Sequence, residues 1–290
     1  MREKILRNKT NKVHPQLDLL AARTAFFEAG VDRPLSGELV TSAFDLHAVE
    51  SLRDSHGLRI GDPVATDIIV FGRGEPDNPS CTKVGGRPLW PADRAWPTAS
   101  DGSPCYFLAQ FNFADSRDIL PDLPADMLLL LTDSENDWLW GDDGSSFHWV
   151  RSDEKITQDI CVPSTVGAAG PFFGAIFRTA DYPDSQDKAY ALQMSQSYNL
   201  PILNGTKIGG LPHFIQGGEG QTDGFLCQLG SIQAASDVPF PWVNQAEPLS
   251  LKFDNTGIYG DNNCAVFGDM GSIYLFLEDD GNVTRGFECY

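Results

Sequence analysis

The sequence predicts an α+β fold, rich in β-structure, made of two pseudo-repeated halves behind a helical N-terminal lead-in. Three observations predict it. The stretch KVGGRPLWPADRAWPTASDGSPCYFLAQFNF at 83–113 returns, degenerate, as KIGGLPHFIQGGEGQTDGFLCQLGSI at 207–232. Both copies open with Lys, a β-branched residue, Gly-Gly, any residue and Pro, then cross a Gly/Asp-rich loop into Phe-Leu-x-Gln; a repeat of this length means two related units. Runs of strand length, apolar or alternating, recur at 64–71, 106–113, 127–132, 226–232 and 273–277. Helical periodicity is concentrated in the first 55 residues, with one further helix at 187–198.

The lead-in spans 1–75. Residues 1–14 form a basic tail. Leu17, Leu20, Ala21 and Phe27 make a helical stripe over 16–30, stopped at Gly30. A second helix covers 36–55, capped by Ser36, with Leu39, Ala43, Leu46, Val49 and Leu52 on its buried face. VATDIIVF at 64–71 is the first clear strand, β-branched and mostly apolar.

The first repeat spans 76–165. Gly85-Gly86 ahead of Pro88 fits neither a regular helix nor a central strand, so it is a tight turn. Trp90-Pro91 and Trp96-Pro97 pin an irregular segment. YFLAQFNF at 106–113 alternates, with Phe107, Ala109, Phe111 and Phe113 on one face and Leu108, Gln110 and Asn112 on the other. MLLLLT at 127–132 is a buried strand. Residues 138–150 read as a hairpin around Asp142-Asp143-Gly144.

The second repeat spans 166–290. Residues 171–177 are small and aromatic. The helix at 187–198 takes Asp184 or Ser185 as its cap and turns Ala189 and Leu192 inward. Strands follow at 226–232 and 248–253, with an aromatic loop at 237–245 between them. Residues 273–277 and 283–290 make a closing hairpin around the turn at 279–282. Two alignments of this end with the first half compete: 140–148 on 267–275 by letters, and 127–137 on 273–282 by strand-turn pattern.

Composition bounds the function. With 290 residues, 41% hydrophobic and 18 Phe, the chain buries an ample core. A net charge of −19 argues against a nucleic-acid binder, which carries a basic face, and suits encounter with a basic protein partner. No run of about 18 apolar residues predicts a membrane helix, and the basic N-terminus lacks a secretory core. The six cysteines form no C-x-x-C pair, so the expected setting is the cytoplasm with free thiols.

Candidate chemistry is sparse. The five histidines are scattered without metal-ligand spacing, so no metal and no cofactor is expected. Gly85-Gly86 and Gly209-Gly210 offer backbone amides beside Lys83 and Lys207 as an anion nest; the alternative is a tight turn with lysine in solvent. Gln110 and Gln228 occupy matched strand positions, facing a ligand or bonding loop backbone. His148 and His213, one in each half, are acid–base candidates if they share a cleft. These six residues are the ligand-site candidates, and no catalytic residue is assigned.

K-V-G-G-x-P, W-P, G-x-P and F-L-A-Q-F-N-F, then L-P, a leucine-rich strand, a second K-I-G-G-x-P with L-x-Q-L, and a closing G-D-x-G-x-I-Y-x-F-L with C-Y together resemble the YwqG-like family, a bacterial domain-of-unknown-function family. Gly-Gly-Leu-Pro-His in the second motif is a small departure from the family's usual form. The resemblance covers residues 67–290. It implies a soluble α+β protein with two β-rich halves and no established catalytic residues to carry over. Some members are associated with toxin–immunity systems. The expectation is therefore a non-catalytic cytoplasmic protein-binding module of immunity type. The alternative is a small-molecule-binding or hydrolytic enzyme with its site in the cleft between the halves.

Overall fold

The computed structural model describes residues 46–73, 78–134, 144–157, 160, 162–163, 171–192, 200–217, 222–232, 265–269 and 271–290. The elements in order are α1 (Leu46–His56), β1 (Val64–Arg73), β2 (Lys83–Val84), β3 (Trp90–Pro91), β4 (Tyr106–Asn112), β5 (Met127–Thr132), β6 (Ser145–Val150), β7 (Ile156–Thr157), β8 (Phe172–Asp181), α2 (Gln186–Leu192), β9 (Lys207–Gly209), β10 (Phe225–Gly230), β11 (Ser272–Leu277) and β12 (Val283–Glu288). The protein is α+β and dominated by strands. The expected helix at 16–30, the start of the helix at 36–55, residues 193–198 of the helix at 187–198, the loop at 237–245 and the strand at 248–253 lie outside the described residues.

Ten strands form one antiparallel sheet in the order β12-β11-β10-β9-β1-β8-β2-β4-β5-β6, and β3 pairs with β7 in a separate ribbon. Outward from the central β1–β8 pair, the two sides repeat the same pairings. Lys83 and Val84 stand opposite Gln110 and Ala109. On the other side Lys207 and Ile208 stand opposite Gln228 and Cys227. β5 and β6 continue one side, β11 and β12 the other. β5 therefore corresponds to β11, which selects the strand-turn alignment of the chain's end over the alignment by letters. β6 pairs with β5 in antiparallel register; residues 138–143 of the expected hairpin at 138–150 lie outside the described residues.

The centre is crossed over. β1 lies ahead of β2 in sequence, yet it pairs with β9 (Thr66 with Gly209). β8 lies ahead of β9, yet it pairs with β2 (Lys83 with Phe173). The strand that leads into each Gly-Gly motif thus joins the sheet beside the other motif. β8 was not evident in the sequence beyond its small and aromatic start. Gly174 interrupts its apolar start, and the space is needed: a Cβ there would lie 2.0 Å from Cγ2 of Ile69.

Both long hairpins carry a bulge at the same place, between Phe107 and Ala109 and between Phe225 and Cys227. The bulge corrects the expected alternation. An extra residue puts Leu108 and Ala109 on one face together and sends Phe107 to the other, because two residues oppose one on the partner strand. Leu108, Ala109 and Phe111 join Leu226, Cys227 and Leu229 in the main core. Phe107 packs instead with Trp90, Leu129 and Leu131 on the opposite face, and Phe225 with Tyr274 and Phe276. On the core side, Nε of Arg285 (β12) donates to Oγ of Ser145 (β6) at 2.8 Å. The sheet therefore rolls until the two strands at the ends of its order come within side-chain reach, enclosing a core drawn from both halves.

α1 is fixed by a charge rather than by an apolar stripe alone. Arg53 is fully buried and donates through Nε to the carbonyl of Leu200 at 2.6 Å, with Glu50 Oε1 at 3.1 Å from its Nη1. Its guanidinium lies 5.2 Å from the ring centroid of Tyr182, and that of Arg59 lies 5.5 Å away. Tyr182 is thus held by two cations.

Candidate functional site

The two Gly-Gly motifs build two matching cradles. Gly85 and Gly86 have φ of 70° and 76°, and Gly209 and Gly210 have 64° and 73°, the left-handed region that glycine enters without steric cost. Each turn swings the chain around the carboxamide of a strand glutamine. Oε1 of Gln110 accepts from Leu89 N at 3.1 Å, and its Nε2 donates to the carbonyls of Pro79 and Cys81, both at 2.8 Å. Oε1 of Gln228 accepts from His213 N at 2.9 Å, and its Nε2 donates to the Gly205 carbonyl at 3.0 Å. In both halves bonded groups lie two residues before the lysine and six after it, and the first half adds Pro79, four residues before. Each glutamine is fully buried and staples the two limbs of its own turn.

The lysines are not in solvent. Lys83 and Lys207 are both fully buried. Lys207 Nζ bonds Asp181 Oδ2 at 2.9 Å. The same carboxylate accepts from Leu203 N through Oδ1 and from Leu211 N through Oδ2, each at 2.9 Å. Burial holds the Lys207 ammonium below its ordinary range, and Asp181 offsets part of that. Two backbone donors and one ammonium thus satisfy a carboxylate that sits at the end of β8.

A second buried cluster faces the core. Nε and Nη2 of Arg178 reach both oxygens of Asp67, directly across the strand pair, at 2.5 and 2.9 Å. Its Nη1 and Nη2 reach both oxygens of Asp118 at 2.8 and 2.9 Å, and Ser116 Oγ donates to Asp67 Oδ2 at 2.7 Å. Two bidentate pairs engage four of the five guanidinium N–H donors.

The structure brings Lys83 to Gln110 and Lys207 to Gln228, one pair in each half. The histidines keep separate surroundings. His148 stands on β6 with Nε2 3.1 Å from Ser146 Oγ and its ring 5.2 Å from that of Trp90. Burial, and then the charge of Arg94, lowers its pKa. His213 lies in the second cradle, where its carbonyl accepts from Tyr274 Oη at 2.7 Å. Sequence reasoning missed Asp181, Arg178 and Asp67. Their signal was present: a charge inside an apolar strand run, as in VATDIIVF and FFGAIFRTAD, marks a buried pair.

Among the described residues no three His, Cys, Asp or Glu side chains converge as metal ligands. Cys81, Cys105, Cys227 and Cys289 are free thiols, and burial pushes the Cys227 thiol well above its usual range, which disfavours the reactive thiolate. No helix among the described residues is long and apolar enough to cross a membrane. No curated protein matches the chain. Residues 82–131, which run from β2 into β5 and include the first Gly-Gly turn and Gln110, are similar to the family described as Domain of unknown function (DUF1963).

Proposed function

We propose that this chain is a non-catalytic protein-binding module of bacterial, YwqG-like and toxin-immunity type, acting in the cytoplasm on a basic partner. One observation carries the reading. The polar side chains that a reaction would draw on are consumed by the fold: Gln110 and Gln228 bond loop backbone, Lys207 bonds Asp181, and Arg178 bonds two carboxylates. The net charge of −19 supports a basic partner, since complementary charge accelerates encounter. Residues 76–165 and 166–290 serve as its two repeated units.

The test is capture from native lysate with the full chain, followed by association rates against salt. Steered association slows steeply as the screening length falls to about 8 Å at physiological ionic strength. The charge reversals D142K and D143K together should slow association further, because they remove negative charge that steers a basic partner. Association indifferent to both salt and charge reversal overturns the basic-partner reading. Turnover of a small molecule by the purified chain overturns the non-catalytic one.

A further inference from the structure

The first half carries a layer that covers the outer face of β4 and β5. Trp90 and Leu89 pack there with Phe107, Leu129 and Leu131. The layer is fastened to β6 at two adjacent residues. At His148, the imidazole meets the ring of Trp90 edge-on, at 5.2 Å between centroids and 70° between planes. At Trp149, the carbonyl accepts from Arg94 Nη1 at 3.0 Å. Arg94 belongs to the same segment as Trp90, whose Nε1 donates to the Arg94 carbonyl at 2.9 Å. Trp96 extends the cluster, 4.8 Å from Trp90.

We propose that His148 is an acid-sensitive latch: protonation of its imidazole releases residues 89–97 from β6 and bares the apolar outer face of β4 and β5. The groups around it set the direction. From the layer, Arg94 brings a positive charge and Trp90 an aromatic edge. From β5, Leu129 stands opposite His148 in register and contributes no charge. From β6 itself, Ser146 supplies a neutral hydroxyl. From the turn after β6, Glu154 is bound by Arg94 and by the amide of Arg151, so its carboxylate is engaged elsewhere. A second positive charge, half-buried beside Arg94, has no dedicated counter-ion among these groups. Withdrawing the Trp90 segment carries Arg94 away with it and opens the imidazolium to water, which relieves both the like charge and the burial.

The experiment uses the full chain between pH 7.5 and 5. Acrylamide quenching of tryptophan fluorescence should rise on acidification by the equivalent of two of the six tryptophans, Trp90 and Trp96. The rise should be absent in H148Q, whose neutral side chain keeps a hydrogen-bonding group near Ser146. Amide exchange, corrected for intrinsic pH dependence, should accelerate in residues 89–97 and not in β10 or β11. This second measurement needs no variant, so it decides the matter even if H148Q folds poorly. Quenching that stays flat in the native chain, an equal rise in H148Q, or exchange that accelerates uniformly along the chain would each overturn the latch.

Discussion

Replacing Gln110 with leucine should be among the most damaging single changes in this protein. Leu matches the size of the side chain but removes the carboxamide, and the Leu89 N–H and the Pro79 and Cys81 carbonyls lose their shared partner. A net hydrogen bond contributes about 1 kcal/mol, while a buried group left unsatisfied costs about 1–3 kcal/mol. Cys81 lies only partly buried, so water recovers some of that loss. The expected destabilisation is about 3–5 kcal/mol, at the top of the range for point mutations. Q110E sharpens the test. One carboxylate oxygen keeps the acceptor for Leu89 N, but the other turns lone pairs toward the two carbonyls, where the amide placed a donor. At pH 7 Q110E should therefore be no more stable than Q110L, and it should recover as pH falls and the acid regains a proton to donate. The assay is urea unfolding followed by circular dichroism, with midpoints compared at constant slope. A loss below about 1 kcal/mol for Q110L, or a Q110E variant as stable as the native chain, would refute the cradle as a source of stability.

Other outcomes follow from the same geometry. D181A should cost about 3–5 kcal/mol because it strands a buried ammonium, whereas K207M should cost less, since Asp181 keeps two backbone donors; unfolding curves of the two variants give the order. G210A should destabilise by more than G102A: both glycines have positive φ, but a Cβ at Gly210 would lie 2.4 Å from Asp181 Oδ2, and none of the surroundings of Gly102 come within 4 Å. G102A should then lose only the conformational term of about 1–2 kcal/mol. For His148 the folded-state pKa lies below the unfolded value near 6.5, so its contribution to stability is complete above about pH 6.5 and is lost as pH falls through the folded-state pKa. H148Q should flatten that part of the stability profile, and an unchanged profile would show that another group titrates there.

Much of the strand content was legible because the signal is local. MLLLLT is β5 residue for residue, and VATDIIVF lies within β1. The Gly-Gly turns were legible because proline and paired glycines leave few backbone options. The shared face of Ala109, Phe111 and Phe113 was legible too, but the placement of Phe107 and Leu108 was not, because a bulge is one inserted residue with no distinctive letter and it exchanges the faces on one side of it. Nor was the burial of Lys83 and Lys207; the partner of Lys207, Asp181, precedes it by an entire helix and loop. The correspondence of β11 with β5 rather than β6 could be decided only by pairing, since loop letters and strand pattern pointed to different registers.

The exchange of leading strands sets a timetable for the growing chain. β1 leaves the ribosome first, but both of its neighbours, β8 and β9, come on the order of a hundred residues later, a separation that makes pairing slow. At bacterial and eukaryotic elongation rates that is a wait of about 5–20 s. Throughout it VATDIIVF is an unpaired, β-branched segment with a single charge, the composition most prone to pair with another chain. Asp67 is that charge, and its partner Arg178 is made only at the end of the wait. Until then the carboxylate stays hydrated and interrupts the apolar run, guarding the nascent strand against association before the arginine arrives to take it into the core.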